Sequence, residues 1–215
     1  LTLIVYQSSD SYRREFATSL VKLNYGTTLN RNCKSYDMLS EHIGLYPSVI
    51  FFPADTFLIS DAADERRRWL NSFISQDDRE YLNALIRYNH ALSERNKLLK
   101  QPQGSVQDSL LEVFDMQLDA HGSRIHAMRD AMIEKLRPIV ADYYREISGD
   151  REHVELSYRS DLNDTDFISL LTASRAKDVA NQFTTSGVHR DDMVMKIAVI
   201  RCASTARRGS RNLFL

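Results

Sequence analysis

Three consecutive arginines, Arg66, Arg67 and Arg68, form the most unusual polar motif of the chain. Arginine guanidinium groups match the geometry of phosphate, and the start of a helix offers free backbone N–H groups to an anion. Consecutive residues on a helix point about 100° apart, so the three arginines cannot all hold one phosphate. Two roles stay open, namely a phosphate contact and a surface in which the arginines pair with acidic neighbours such as Asp64 and Glu65.

A second polar cluster lies in the stretch "TTSGVHRDD", residues 184–192. Its candidate residues are Gly187, His189, Arg190, Asp191 and Asp192. A histidine beside carboxylates could serve as a general base or bind a metal. Neighbours in sequence point in different directions, however, and no second His or Cys cluster offers further ligands. The pattern therefore favours a turn before a strand, and we predict no catalytic residue and no metal ligand there.

Basic residues also gather in "SERNKLLK", where Arg95, Lys97 and Lys100 follow one another closely. Such residues can contact the backbone of a nucleic acid, a contact that carries no sequence information. Glu94 offsets part of this charge, and an ordinary solvated helix face is the alternative.

Composition limits the classes of protein that the chain can represent. Apolar residues make up 43% and charged residues 27%, which is typical of a globular protein, and the net charge of −1 means that nucleic-acid binding would need a local patch. Cys33 and Cys202 lie too far apart for a metal motif or a disulfide framework, which favours a reducing, cytoplasmic setting. No apolar run is long enough to span a membrane. The first residue is not Met, so we expect a piece of a longer protein.

The chain lacks several sequence motifs that indicate particular classes of enzyme. It contains no G-x-x-x-x-G-K-[ST], no G-x-S-x-G, no H-E-x-x-H and no Cys-x-x-Cys. A phosphate-binding loop of the first type is therefore absent from these 215 residues.

Long helices must position most of these polar residues. Asp61 or Asp64 could cap a first helix, and Ser75 or Asp77 a second. The second helix carries an apolar seam at alternating spacings of four and three, in which Arg95 occupies one step. Its apolar members are Tyr81, Leu85, Tyr88, Leu92 and Leu99.

After the break "QPQGS", a third helix repeats the same spacing, and Pro138 should kink it. Its seam is predicted to contain Leu111, Phe114, Leu118, His121, Ile125, Met128 and Met132, and then Leu136, Ile139, Tyr143 and Ile147. Two long helices joined by a short turn predict an antiparallel hairpin that resembles a coiled coil.

Strands are predicted on both sides of this helical part. A hairpin around Asn24-Tyr25-Gly26 and the apolar run "PSVIFFP" precede it, while "VELSYRS", a helix in "DFISLLTASRAKDVANQ" and a strand in "DDMVMKIAVI" follow it. This order predicts an α/β fold, α+β at the level of this chain, in which a helical arm is inserted into a sheet-containing domain.

Four stretches together resemble the RecF family of bacterial DNA replication and repair proteins. They are "VIFFPADTFLISDAADERRRWLN", "YLNALIRYNHALSERNKLLK", "LLEVFDMQLDAHGSRI" and "SGVHRDD", and their order and spacing match over roughly residues 35–197. The resemblance implies part of an ABC-type ATPase head, related to the SMC group, with an antiparallel helical arm. It places the late part of the first head lobe in residues 1–60, the arm in 61–150 and the return to the head in 151–215.

The resemblance also implies a function in DNA repair, replication, recombination and the SOS response. Such proteins bind ATP and Mg, form ATP-dependent homodimers, bind duplex DNA near single-strand gaps and work with other recombination-mediator proteins to load the recombinase. It implies a place near the nucleotide for residues 187–192, and it places the arginine run at the junction of head and arm, where the run either holds DNA phosphate or bridges to acidic neighbours. Under the DNA-binding hypothesis the phosphate contacts are Arg66, Arg67, Arg68, Lys97 and Lys100.

Three departures from the family pattern limit what carries over. The nucleotide-sensing loop usually reads Pro-Glu-Asp, and this chain has Pro53-Ala54-Asp55, so the Glu is missing and only Asp55 carries over as a candidate residue. The phosphate-binding loop and the magnesium carboxylates lie outside these residues in the family, so we expect this chain to bind no ATP tightly and to be inactive. From about residue 198 the tail lacks the signature Ser-x-Gly-Gln-Gln; we hypothesise a shifted reading frame, which sequencing the source gene across codons 195–215 would test.

Two other functions remain as alternatives. The arm could dock repair or loader proteins without touching DNA. A stand-alone hydrolase that uses His189 and Asp192 is the weaker alternative, and it predicts that activity is lost in His189→Ala.

Overall fold

The structure is a computed structural model that describes residues 63–101 and 108–199, together with shorter stretches nearer the start. Those stretches are residues 4–5, 18–23, 26–31, 34–36 and 38–45. The described helices are α1 (Ala63–Asp77), α2 (Arg79–Leu99), α3 (Asp108–Ser148) and α4 (Phe167–Asn181). The described strands are β1 (Ile4–Val5), β2 (Thr18–Leu23), β3 (Gly26–Arg31), β4 (Lys34–Ser35), β5 (Glu152–Arg159) and β6 (Asp192–Val199).

The first four strands form an antiparallel sheet in the order β1-β2-β3-β4. Leu23 pairs with Gly26, which confirms the predicted hairpin. A 3-10 turn, Leu39–His42, comes after these strands and is followed by Gly44 at φ 83. A Cβ on Gly44 would lie 2.7 Å from the carbonyl oxygen of Gln76, so this segment lies tightly against the end of α1. The apolar run "PSVIFFP" lies outside the described residues.

Helices α2 and α3 run antiparallel, as predicted. Arg95 near the end of α2 bonds Asp115 near the start of α3, whereas Glu80 at the start of α2 pairs with Arg124 further along α3. Apolar side chains of both helices fill the interface, among them Tyr81 and Leu118, which are fully buried. The 41 residues of α3 make a helix about 60 Å long.

The predicted seam of α3 is wrong in its last three turns. Ile139, Tyr143 and Ile147 are 50%, 65% and 80% exposed, while Val140 and Tyr144 turn inward. Helix α2 begins at Arg79 and so covers only the first part of α3, and β5 covers a neighbouring face further on. Pro138 lies inside α3 without ending it.

The predicted helix caps also need correction. Asp78, not Ser75 or Asp77, caps α2, because its carboxylate accepts bonds from the backbone N–H groups of Glu80 and Tyr81 at 2.7 and 3.0 Å. Asp64 lies inside the first turn of α1 and is therefore not its cap.

Strands β5 and β6 form an antiparallel pair in which Leu156 lies opposite Met195. Strand β5 packs along α3, and Phe167 at the start of α4 inserts between the helices. A Cβ on Gly122 of α3 would lie only 2.3 Å from the Phe167 ring. One hydrophobic core therefore includes residues on both sides of position 150, so the head and arm boundary placed there from the resemblance stays a prediction. Its buried members are Leu70, Ile74, Tyr81, Ala84, Tyr88, Ala91, Leu118, Ile125, Ile133, Leu156, Tyr158, Phe167, Leu171, Val188 and Met193.

Candidate functional site

The arginine run lies in the first turns of α1, and its three side chains diverge as the helix geometry requires. Arg66 forms a two-pronged ion pair with Asp192, with Nε and one terminal nitrogen at 2.7 and 3.0 Å from the two carboxylate oxygens. This hydrogen-bonded carboxylate raises the pKa of Arg66. Arg66 is thus directed inward, against the start of β6.

Arg67 and Arg68 behave differently from each other. Arg67 donates to the backbone carbonyl of Asp191 at 2.6 Å and also pairs with Asp64, and its side chain is only 15% exposed. Arg68 is 73% exposed and bonds Glu65 at 2.8 and 3.0 Å. The pairs with Asp64 and Glu65, which the sequence left open, are therefore present in the structure. Among the three arginines, Arg68 has the most exposed side chain.

The turn that contains Gly187 packs against the aromatic side chain of Tyr88. Gly187 has φ 126, and a Cβ there would lie 2.8 Å from the Tyr88 hydroxyl, so both backbone angle and space require glycine. The next residue, Val188, is buried, and its carbonyl accepts a bond from Arg129 at 2.7 Å. The motif is thus held from the α2–α3 side.

His189 is held through both ring nitrogens. Burial lowers its pKa to about 4, and the nearby charges of Arg190 and Arg67 act in the same direction, so the ring is neutral at pH 7. Its Nε2 donates to the carbonyl of Thr184 at 3.0 Å, and its Nδ1 accepts from the hydroxyl of Tyr88 at 2.9 Å. With both nitrogens engaged, His189 is poorly placed to serve as a general base, which speaks against the hydrolase alternative.

Asp191 and Asp192 take part in separate bonds. Burial raises the pKa of Asp191, whose carboxylate accepts from the hydroxyl of Tyr158 and lies 3.6 Å from Arg129. Asp192 is paired with Arg66, and Arg159 approaches it at 3.3 Å. Arg190, the exposed member of the motif, lies over the ring of Phe183 at 5.4 Å.

A buried ion network joins the other end of α2 to α4. Arg95, with no exposed side chain, donates to Asp115 and to Asp178 at 2.7 Å each, and to the hydroxyl of Thr184 at 2.8 Å. Asp178 also accepts two bonds from Thr185, at 2.8 Å from the backbone N–H and 2.7 Å from the hydroxyl. Of the three basic residues that the sequence groups here, Arg95 is therefore a buried structural residue, and only Lys97 and Lys100 remain candidates for a DNA contact.

Lys97 and Lys100, the remaining predicted site residues that the structure describes, are exposed near the end of α2. Lys97 is 68% exposed and pairs with Glu94 at 2.6 Å, and Lys100 lies exposed at the end of α2. Asp55 lies outside the described residues. Among the residues that the structure describes, no group of three or more His, Cys, Asp or Glu is arranged to hold a metal, and no helix is long and apolar enough to cross a membrane.

Sequence reasoning missed several residues that organise the site. Arg129 of α3, 2% exposed, donates to Tyr81, to Val188 and to Asn71 at 3.0, 2.7 and 2.8 Å. Nothing in the seam pattern singles it out. Arg95 did leave a signal, since a charged residue occupied an apolar step of the seam, and Asp115 is its buried partner.

Comparison with known proteins identifies relatives over almost the whole chain. No protein-family model matches. A DNA replication and repair protein RecF from Parabacteroides distasonis is 40% identical over 215 residues, which cover 99% of this chain and 58% of that protein. RecF proteins from Porphyromonas gingivalis and Bacteroides thetaiotaomicron are 40% and 36% identical, over 87% and 98% of this chain and 51% and 56% of theirs.

Solved structures agree with the sequence relatives. A structure described as the recombination mediator protein RecF-ATPrS in the RecFOR pathway matches with a TM-score of 0.80 and 29% identity, over 93% of this chain and 57% of that one. A second, described as RecF-ATP in the same pathway, matches with a TM-score of 0.77 and 30% identity, over 86% and 52%. The resemblance and the fold class predicted from the sequence are confirmed, and the chain spans somewhat more than half the length of these relatives.

Proposed function

Because this chain is homologous to a part of RecF, we propose that it belongs to a protein of DNA replication and recombinational repair that acts as a recombination mediator. The match over 99% of the chain at 40% identity supports the proposal most strongly. The parent protein would bind ATP with Mg, dimerise, bind duplex DNA at single-strand gaps and help to load the recombinase in the cytoplasm. The chain alone, which lacks a G-x-x-x-x-G-K-[ST] motif, would not turn over ATP.

Within this proposal, the basic residues have two roles: some hold the structure together, and others remain exposed and can contact DNA. Arg66 and Arg67 hold α1 to the motif at residues 187–192, and Arg68, Lys97 and Lys100 offer exposed charges. The pairing of Lys97 with Glu94 is a surface ion pair, which costs little to exchange for a DNA phosphate. The end of α2 is therefore the best candidate for a DNA contact in the arm.

The test is a titration of duplex DNA with the 215-residue chain and its Lys97→Glu/Lys100→Glu variant at two salt concentrations. Loss of two phosphate contacts should weaken binding and reduce the slope of log K against log salt by about two. A matched control is Lys135→Glu/Arg145→Glu, which reverses two exposed charges in the C-terminal part of α3, far along the chain from Lys97 and Lys100. Equal binding by both variants would exclude the end of α2 as a DNA contact.

A protein-docking role for the arm is the second candidate, and one observation favours it. Leu110, Val113 and Met116 lie on the outer side of α3 and are 42%, 42% and 59% exposed. If Val113→Glu/Met116→Glu abolishes pull-down of recombination-mediator partners while DNA binding is unchanged, the arm works as a docking module.

A further inference from the structure

The first half of α3 packs against its neighbours on two sides and exposes large apolar side chains on a third. Leu118 is buried against α2, and Asp115 is bonded to arginines of α2 and α4. Leu110, Val113 and Met116 point outward and are 42%, 42% and 59% exposed. Single exposed apolar residues are common, but a contiguous patch of them is typical of an interaction surface.

These apolar residues lie on one side of the helix. Leu110, Val113 and Met116 are spaced by three residues, and Ala120, which is also exposed, follows four residues later. Residues three or four apart are neighbours on a helix surface, so the four form a continuous strip about three turns long. A partner helix recognises such a surface through apolar anchors at the same spacing.

The charged residues of this part of α3 are all acidic. Asp108, which is 85% exposed, Glu112 and Asp119 follow one another at spacings of four and seven, which places them in one row along an edge of the strip. Between Asp108 and Ser123 the sequence contains no Lys or Arg. Arg175 of α4 approaches Asp108 at 3.8 Å, and one arginine against three carboxylates leaves the row with a net negative charge.

We propose that this outer face of α3, the apolar strip with its acidic row, binds an amphipathic helix of a partner protein. The apolar side of that helix would cover the strip, and its Lys or Arg residues would meet the carboxylates. The proposal rests on the protein-docking role given above as the second candidate, and it defines the kind of partner that the arm docks. A basic edge follows from charge complementarity, because an acidic helix would bring like charges together.

The outer face and the proposed DNA contact point in different directions. Arg95 faces α3, where it bonds Asp115, and Lys97 follows two residues later on α2. Two residues correspond to a rotation of about 200° around a helix, so Lys97 points away from α3. DNA and the partner helix therefore do not compete for the same residues, and the phosphates of DNA would be repelled by the acidic row.

The probes are two synthetic amphipathic helical peptides, each about five turns long. One combines leucine with lysine and the other combines leucine with glutamate. Each is labelled and titrated with the 215-residue chain at low salt, with fluorescence anisotropy as the readout. The lysine peptide should bind saturably at one site, and the glutamate peptide about tenfold more weakly or less, because its charges meet the acidic row.

Variants of α3 locate the binding site. Val113→Ser/Met116→Ser removes apolar surface without changing charge and should weaken binding of the lysine peptide about tenfold. Its matched control is Ile139→Ser/Ile147→Ser, which changes two exposed apolar residues in the last turns of α3 and should have no effect. A thermal melt of each variant shows that it is folded.

A second pair of variants tests the charge of the row. Glu112→Lys should weaken binding of the lysine peptide about two- to fivefold and reduce its dependence on salt. Glu146→Lys makes the same change at an exposed position near the end of α3 and should leave binding unchanged.

Three results would overturn the proposal: equal binding of the two peptides, no saturable binding of the lysine peptide, or equal effects of the α3 variants and their controls. The docking role itself is tested separately, by pull-down of recombination-mediator partners. If that pull-down depends on Val113 and Met116 while the lysine peptide does not bind, the docking role stands and the basic helix is refuted. Lys97→Glu/Lys100→Glu should leave peptide binding unchanged.

Discussion

Replacing Arg95 by methionine should destabilise the protein far more than a charge deletion elsewhere on the same helix. The substitution keeps much of the side-chain volume but removes the cation that holds Asp115 and Asp178, both of which are buried. Asp115 keeps Arg175, whereas Asp178 keeps only the two bonds from Thr185. The variant therefore leaves buried negative charge without adequate compensation.

The expected loss is about 3–5 kcal/mol of unfolding free energy, the usual result of removing one partner of a buried ion pair. This is a large share of the 5–15 kcal/mol that stabilises a typical domain. Lys97→Met is the matched control: Lys97 lies two residues away and is paired with Glu94 on the surface. Its loss should be below about 1 kcal/mol.

Urea unfolding of the 215-residue chain, followed by far-ultraviolet circular dichroism, measures both values. If Arg95→Met fails to fold, Arg95→Lys gives a smaller loss that can still be compared with the control. The triple variant Arg95→Met/Asp115→Leu/Asp178→Leu should recover most of the stability, because it removes the unpaired charges together. A difference of less than about 1 kcal/mol between Arg95→Met and Lys97→Met would refute the reasoning.

Two further predictions concern the packing and the protonation of the core. Gly122→Ala should cost about 1–3 kcal/mol of stability in urea, because its Cβ would lie 2.3 Å from the Phe167 ring and 3.0 Å from that of Tyr88; a gain, as expected from helix propensity alone, would contradict the packing. Burial lowers the pKa of His189 to about 4, so the protein should lose about 3 kcal/mol as pH falls from 6.5 to 4. Burial raises the pKa of Asp191, so protonation of this carboxylate stabilises the folded protein as pH falls and opposes the effect of His189. The measurement is therefore the difference from His189→Gln, in which the loss due to His189 should vanish. An equal loss in that variant would show that His189 is not its source.

The helices were predictable because their apolar spacing is regular. The face of each helix that other elements cover was harder to predict. The seam of α3 was correctly placed where α2 lies against it and wrong at Ile139, Tyr143 and Ile147. Periodicity shows that a helix has an apolar stripe, whereas the neighbouring elements decide whether that stripe is buried. Arg95 shows the converse, since a charged residue occupies a fully buried step.

The candidate site was predictable in its components but not in its connections. Helix geometry correctly required Arg66, Arg67 and Arg68 to diverge, and local acidic partners for the last two were foreseen. The partner of Arg66 is Asp192, 126 residues away, and no spacing rule relates the two. The role of Arg129 likewise depends on a turn that reaches it only after the chain has folded.

The two buried arginines also determine how this protein can be divided. Arg95 and Arg129 belong to α2 and α3, yet Asp178, Thr184, Val188 and Asp191, which they contact, all come after residue 150. In a polypeptide cut at that point, the first half would hold Arg95 and Arg129 without these partners. The second half would hold Asp178 and Asp191 without their arginines. The helices are thus completed by the chain that follows them, and neither half should be expected to fold by itself.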